Sequence, residues 1–467
     1  MPCLLKQSIV DTARQGRRNC DLRAPQPGEP FHPSQSEHFL QVPDPQGRRG
    51  YSLDWHLESG EYMPKESSPL PDKPLRILYV ADYQSDKLIK IRDIRNNLHT
   101  GGSAKIARIT KALRLAKCDV RVLASGIVAN RSAKVHRGLR DVVEGTDAEV
   151  IFTPSIDIPI LSHAAALIFG AWHMLTHKRA DVTLVYNMTA LSLSLAYVAK
   201  LLKRSEVYFE YEDDCHIPLS AARFRNRAKG SLCVFMARRI ASGCICVNQA
   251  LAAQMTNVPT YVLEGIVDVE RDSCFRNPIS SLMPSVWRLT YVGGIARLKG
   301  VLSLVPMMKE LGSDFLLQIV GDGPLMDELQ KSAEELDLGT ITIRGSLTAM
   351  EVQQVCDETD IFINPHIVHL GHIDAIFPFK IIEYLSFGRP VVTTQLAESA
   401  LGSLGGFQVT EGDDPKAIAS AVRACAARYS EFAARMPSVK EFVWKHYSVE
   451  QVGDRLRMFL NDGRVER

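Results

Sequence analysis

The chain has 467 residues, 55 basic and 53 acidic, for a formal net charge of +2. That length exceeds one ordinary domain and predicts two or three with sizeable cores, while the near balance of charge excludes a global field directed at nucleic acid or another polyanion. Ten cysteines without a CxxC, the closest pair being Cys244 and Cys246 in an apolar run, read as reduced core thiols rather than metal ligands or a disulfide framework.

Residues 1 to about 74 are rich in Pro, Gln, Ser, Gly and Arg, as in RAPQPGEPFHPSQ, and predict a flexible extension. No apolar h-region opens the chain, so secretion is not expected; Arg14, Arg17, Arg18 and Arg23 imitate a transit peptide, but Asp11 and Asp21 oppose that reading. Order begins at Leu75, where LRILYVA reads as a buried strand. A polar loop with Gly101 and Gly102 follows, then a helix with Ile106, Ile109, Leu113 and Ala116 on one face. Further strands are predicted at DVRVLAS from Asp119, EVIFTP from Glu149, VTLVYN from Val182, EVYFEY from Glu206 and GCICVN from Gly243. With helical patterns between them, they predict a parallel sheet covered on both faces.

Within this series the apolar run from Ile158 to Leu175 is interrupted by His163 and His173 and is not expected to span a membrane. It reads first as a buried core helix, with a membrane-surface helix as the alternative. LSLSLAYVAKLLKR after it ends in a basic cluster at Arg204, which keeps peripheral membrane contact among the expectations. The segment EYEDD, Glu210 to Asp214, gathers four carboxylates after a strand. Acceptor positioning or base chemistry, a paired-carboxylate metal site, and a solvated loop or helix cap are its three readings.

The pattern weakens from Glu264 to Ser285, with Pro278 and Pro284, and a linker is predicted there. A second β/α series starts at WRLTYVGG from Trp287 and continues with DFLLQIVG from Asp314, TITIRG from Thr340, DIFINP from Asp360, PVVTT from Pro390 and GFQVTE from Gly406. The expected boundaries are an extension over 1–74, a first domain over 75–270, a linker over 271–285, a second domain over 286–445 and a terminal helix over 446–467. Two open sheets of this kind hold their ligand in the cleft outside the carboxyl ends of their strands.

Three glycine-bearing turns follow strands of the second series. In YVGGIARLKG, Gly293 and Gly294 let backbone approach a ligand, and Arg297 and Lys299 bring two cations suited to a diphosphate; a solvated surface turn is the alternative. In VGDGPL the third glycine of GxGxxG would fall at Met326, so Gly323 and Pro324 mark a strand-to-helix turn and not a dinucleotide fingerprint. The third turn, FPFKIIEYLSFGRPVV from Phe377 to Val392, starts a helix near Pro378, gives it an apolar face at Ile381, Ile382 and Leu385, and stops it at Gly388 and Pro390. Its entrance favours an anion, with Lys380 adding a cation and Glu383 a carboxylate one turn on. His366, His369 and His372 precede it at spacings of three, but in a loop without Cys and with Asp374 as the one carboxylate. They read as a cleft loop, and no metal is predicted.

These motifs, in this order, resemble the retaining glycosyltransferases of family 4 (group 1). The resemblance covers residues 75 to 460 in organisation, and its specific motifs lie between Tyr291 and Val392. It implies the α/β GT-B fold, with two Rossmann-like domains whose parallel sheets face a central cleft. It also implies that Gly101 and Gly102 lie near the donor phosphates and that the turn ending in Lys299 and Gly300 binds them. Gly293, Gly294, Gly323, Pro324, Phe377, Pro378, Phe379 and Lys380 would line the donor site, Glu383 would hold the ribose, and WKHYSVEQVGDRL would supply closing helices that return to the first domain. The family pattern has an Arg where this chain has Gly294, so Arg297 is expected to substitute. It has an acid where this chain has Ala375, which leaves Asp374 to reach the donor sugar.

The implied activity is transfer of a sugar, with retention and without metal or other cofactor, from a nucleotide-sugar to a glycan, lipid-linked or small-molecule acceptor, as in polysaccharide biosynthesis. Arg297, Lys299 and Glu383 would be the catalytic residues of this hexosyltransferase-like enzyme, and Asp213 or Asp214 would orient the acceptor. The expected location is cytoplasmic, with a peripheral place on the cytoplasmic membrane face. A noncatalytic sugar-binding or scaffold relative and a nucleotide-sugar epimerase are the alternatives; a two-Rossmann NAD enzyme is disfavoured by the lack of a complete GxGxxG.

Overall fold

The computed structural model describes residues 73–94, 100–127, 134–177, 179–202, 205–213, 223–268, 284–336, 339–367, 379–394 and 405–465. Most of the expected extension and linker, together with Asp214, His369, His372, Asp374, Ala375, Phe377 and Pro378, lie outside the described residues.

The first half is built on an eight-stranded sheet. Its strands are β1 (Arg76–Val80), β2 (Asp119–Ala124), β4 (Leu139–Val142), β5 (Glu149–Phe152), β7 (Val182–Tyr186), β8 (Glu206–Tyr211), β9 (Gly243–Cys246) and β10 (Thr260–Val262), in the order β10-β9-β8-β7-β1-β2-β5-β4. All neighbours are parallel except β4, which closes one edge antiparallel to β5. The short strands β3 (Val135–His136) and β6 (Ser155–Ile156) form a separate antiparallel pair. Successive side chains of a strand face opposite ways, and β1 uses both faces. Leu78 and Val80 join one core with residues of helices Pro159–Thr176, Ala190–Leu201 and Arg223–Ile240. Ile77 and Tyr79 join a second core with helix Thr100–Leu115.

The second half carries six parallel strands, β11 (Trp287–Val292), β12 (Phe315–Val320), β13 (Ile341–Gly345), β14 (Ile361–Asn364), β15 (Val391–Thr393) and β16 (Phe407–Val409). Their order, β13-β12-β11-β14-β15-β16, reverses direction between β11 and β14. In the first half the corresponding reversal lies between β1 and β7. A reversal sends the flanking connections to opposite faces and opens a crevice at the carboxyl ends of the two strands.

Helices Tyr429–Tyr447 and Val449–Val465 close the chain. The second lies against helix Thr100–Leu115, where Gly453 sits so close to the Ala112 carbonyl that any Cβ would collide with it. The Arg457 guanidinium caps the same helix by donating to the Ala116 carbonyl at 2.9 Å. Where the chain passes Val267 and returns at Ser448, the segments pair: the Val267 N–H donates to the Tyr447 carbonyl at 2.7 Å, and the Val449 N–H to the Val267 carbonyl at 2.9 Å. These bonds join the two crossings of the chain between the halves, which also share one hydrophobic core that includes Phe209 and Ile382.

Two expectations change. Gly101 and Gly102 lie in the first turn of helix Thr100–Leu115, not in a loop before it. Helix Pro159–Thr176 is not wholly buried: Ala166, His173 and Met174 face inward, while Ile168 and Trp172 are exposed. The cysteines at 118, 233, 244, 246, 356 and 425 are buried and unbridged.

Candidate active-site cleft

The carboxyl end of β11 runs directly into Gly293, whose φ of +155° suits glycine. A Cβ there would stand 2.6 Å from the Lys380 ammonium. The neighbouring turn supports this one from behind, since Gly323 lies against the backbone of Ile295 and the Ile295 N–H donates to the Asp322 carbonyl at 2.9 Å. Gly321 and Gly323 therefore brace the Gly293 turn, with Pro324 next in the chain. Gly294, by contrast, has nothing within 4 Å of where a Cβ would be.

Lys299 and Arg297 share a single 3-10 turn, Arg297–Lys299, but part company. Side chains two residues apart in a threefold helix point in different directions. Arg297 is exposed, whereas Lys299 is half-buried. The expected pair of converging cations is thus formed differently, by Lys299 and Lys380. Burial lowers the pKa of Lys299, with Asp213 of the first half pulling it back up. Burial also pulls Lys380 well below the usual lysine range, and the charge of Lys299 adds to the effect.

A one-way chain of donors holds Lys299. Its ammonium lies 3.2 Å from His366 Nε2, and His366 Nδ1 lies 2.8 Å from Asn364 Oδ1. The Asn364 amide donates to Thr393 Oγ1 at 2.9 Å, and that hydroxyl to the Thr394 carbonyl at 3.0 Å. An ammonium can only donate, so His366 accepts at Nε2 and carries its proton on Nδ1. Burial and the two nearby lysines push His366 well below its ordinary pKa, in accord with that neutral tautomer. His366 Nε2 is therefore engaged by Lys299. Among the described residues no group of three or more His, Cys, Asp or Glu side chains is placed to hold an ion.

Lys380 opens helix Lys380–Ser386, with Phe379 at its cap. Ile381, Ile382 and Leu385 are buried, and the Tyr384 hydroxyl clamps the helix to β11, accepting from the Val292 N–H and donating to the Val292 carbonyl at 2.9 Å each. Gly388, at φ +68°, ends the helix. The Lys380 ammonium lies 4.1 Å from the centroid of the Tyr291 ring and has no hydrogen-bond partner among the described residues. A buried cation so placed invites an anion.

The first half faces this pair with charges already matched. Lys105 pairs with Glu212 and lies 3.5 Å from Glu210, which also accepts from the Tyr79 hydroxyl. Glu210 and Glu212, one strand repeat apart, thus share one lysine; burial, with Glu210 adding, pushes Glu212 up to about 7 against the pull of Lys105. Asp213 is exposed and held by Asn187, whose amide donates to it at 2.9 Å. Of the four carboxylates read together, two are committed to Lys105, Asp213 faces the cleft, and Asp214 falls outside the described residues. Gly101 is open, and Gly102 lies near the Tyr186 hydroxyl.

Helix Thr100–Leu115 also sends Arg108 to Glu383, forming an ion pair between the halves. The Phe379 ring sits between Lys105 and Arg108, 5.5 and 5.6 Å from its centroid. Lys105, Arg108 and Asn187 were missed in the sequence: the two cations were hidden in an apolar stripe, and Asn187 carried no motif. A separate cavity lined by Arg76, Asp119, His173 and His177 lies at the amino ends of β1 and β2, the wrong end of a parallel sheet for this chemistry.

Comparison with known proteins bears on the fold and on the second half of the chain. Residues 287–428 match the family described as Glycosyl transferases group 1. No curated protein matches the sequence. Among solved structures, Alr3699/HepE of Anabaena in complex with UDP is 15% identical with a TM-score of 0.60, covering 83% of this chain and 100% of its own. Sucrose-phosphate synthase from Thermosynechococcus elongatus is 15% identical with a TM-score of 0.60, covering 84% and 100%. A glycosyltransferase from Rickettsia africae is 14% identical with a TM-score of 0.59, again covering 84% and 100%. Residues 287–428 thus carry a glycosyl transferases group 1 domain, and the chain has the two-domain GT-B fold of glycosyltransferases.

Proposed function

We propose that the chain is a retaining, metal-independent glycosyltransferase of the family 4 kind, which takes a sugar from a nucleoside diphosphate donor and passes it to a glycan, lipid-linked or small-molecule acceptor. The observation that carries this reading is the pair of neighbouring ammonium groups at the crevice beside β11 and β14: Lys299, half-buried, and Lys380, whose buried ammonium has no hydrogen-bond partner among the described residues. A diphosphate supplies the missing negative charge. As the glycosyl bond breaks, charge grows on the leaving phosphate, and preplaced cations in a site shielded from water stabilise it without reorganising. Retention follows if the leaving phosphate itself accepts the acceptor's proton on the same face.

Glu383 would hold the ribose hydroxyls, exchanging Arg108 for the donor. Gly101, Gly102, Gly293 and Gly294 would line the diphosphate, Phe377, Pro378 and Phe379 would take part in donor binding, and Asp374 would reach the sugar. Arg297 would act at the outer rim. Asp213, with Asp214, would orient the acceptor from the opposite wall. The UDP complex of the Anabaena neighbour supports a nucleoside diphosphate, and the isolated bridge between Val267 and Ser448, where both crossings of the chain meet, is the point about which closure would occur. The boundaries 75–270, 271–285, 286–445 and 446–467 follow from the same division, and a cytoplasmic place suits a nucleotide-sugar.

The open space at Gly294 favours one second reading, a sugar-binding relative without turnover, because a guanidinium of the family pattern is missing there. A panel of UDP-, GDP- and ADP-sugars distinguishes them. Hydrolysis or transfer of one donor, unaffected by EDTA, is the expected result; binding of donors with no turnover on any acceptor would leave the noncatalytic reading in its place.

A further inference from the structure

We propose that one face of the first half docks on a bilayer surface bearing anionic lipid headgroups. The face is the outer side of three neighbouring helices, Pro159–Thr176, Ala190–Leu201 and Arg223–Ile240. Each contacts the next, and Met174, Leu195 and Val234 from the three join one core against the same side of the sheet. Their outer sides therefore form a single layer.

Apolar residues cover much of that layer. On the first helix Leu161, Ala164, Ile168, Trp172 and Leu175 recur at spacings of three and four, which puts them on one stripe, and all are exposed. Ile168 is 71% and Trp172 53% exposed. A helix on an ordinary protein surface carries charges at such positions, whereas this one contains no Lys, Arg, Asp or Glu. Leu201 on the second helix is 77% exposed, and Leu232 and Phe235 on the third add to the surface. Adjoining exposed apolar side chains of this extent mark a contact surface.

The charge on the layer identifies the partner. Although 53 of the chain's 467 residues are acidic, none lies in these three helices, which carry seven basic residues from Lys200 to Arg239. Some are used internally: Lys200 pairs with Glu206, and Arg238 donates to the Gln254 carbonyl. Lys229 and Arg239 are exposed beside Leu232 and Phe235, and the Arg239 guanidinium lies 4.9 Å from the centre of the Phe235 ring. Protein interfaces usually mix both signs at their rims. Bulky apolar groups on helices that carry cations and no acidic residue match the boundary between acyl chains and anionic headgroups. No helix among the described residues is long and apolar enough to cross a membrane, so the contact is one of surface docking. This inference stands whether or not the cleft transfers sugar.

The test is sedimentation of the full chain with phosphatidylcholine vesicles, with and without phosphatidylglycerol. Wild type is expected to pellet with the mixed vesicles and to be released by salt. The double substitution Ile168→Glu with Trp172→Glu should weaken binding at least about tenfold, and Lys229→Glu with Arg239→Glu by about tenfold, with the salt dependence lost. Both pairs are exposed, so their thermal melts should match wild type. If an acidic substitution unfolds the chain, quenching by brominated lipid that is present in wild type and reduced in Trp172→Phe tests the same contact. Failure of wild type to bind mixed vesicles, or unchanged binding by both double variants, would overturn the proposal. A dimer dissolved by the same substitutions would replace it with a protein interface.

Discussion

Lys105 in the first half and Lys380 in the second are buried lysines beside the same cleft, and both reach the neighbourhood of helix Lys380–Ser386. Lys105 has two carboxylates, Glu210 and Glu212, around it. Lys380 has an aromatic face, another lysine and the pull of Glu383, a carboxylate already paired with Arg108. The two halves share a winding scheme, yet one neutralises its buried charge within itself and the other leaves it for something else to neutralise. Charge left unmatched at a strand-order reversal distinguishes a binding wall from a structural one more sharply than the shared topology does.

The same substitution should therefore have opposite signs in the two halves. Lys105→Met strands two buried carboxylates and is expected to cost about 3–5 kcal/mol, the usual penalty for breaking a buried ionic cluster by removing one partner. Lys380→Met removes an ammonium with no hydrogen-bond partner among the described residues, which the Tyr291 ring and Glu383 offset only in part, and the donor-free protein is expected to gain about 1–3 kcal/mol. Urea denaturation of both variants checks the pair; destabilisation by Lys380→Met would show that its ammonium is matched in the free protein.

Smaller effects sharpen how the binding wall is held. His366→Leu cuts the donor chain from Lys299 to Thr394 and should weaken diphosphate binding about tenfold, or ~1.4 kcal/mol, while His366→Gln, able to accept from Lys299, should recover part of the loss. Equal losses in the two variants would argue for packing alone. The pH dependence has a definite sign. Burial lowers Lys299 and Lys380 in the free protein, and a bound diphosphate would raise them, so the complex holds more protons. Affinity should fall as pH rises through the lowered free-state values, and titrations in buffers of different ionisation enthalpy should reveal proton uptake of up to about one per site. Proton release would contradict this electrostatic account.

Much of the scaffold was legible because buried strands announce themselves: VTLVY and GCIC have no plausible exposed face, and turns at Gly293 and Gly388 punctuate the chain where backbone conformation requires glycine. The three-residue edge strand Thr260–Val262 was too short to stand out. At the site, FPFKIIEYLSFGRPVV correctly marked a helix with one buried face and a defined stop. The partners of its charges were not legible, because Arg108 lies 275 residues before Glu383 and is brought to it only by the packing of two halves. Arg297 and Lys299 illustrate a different limit: spacing in the chain placed two cations together, but the local 3-10 turn exposed one and left the other half-buried beside His366.

The central claim is that Lys299 and Lys380 form the diphosphate site. Calorimetric titration of UDP, GDP and ADP into wild type and into Lys299→Ala and Lys380→Met tests it most directly. At least one nucleotide should bind wild type saturably, and each substitution should weaken that binding by about a hundredfold or more, in line with ~2.7 kcal/mol for a lost buried charge contact. Wild-type affinity in both folded variants would contradict the claim and place the nucleotide elsewhere.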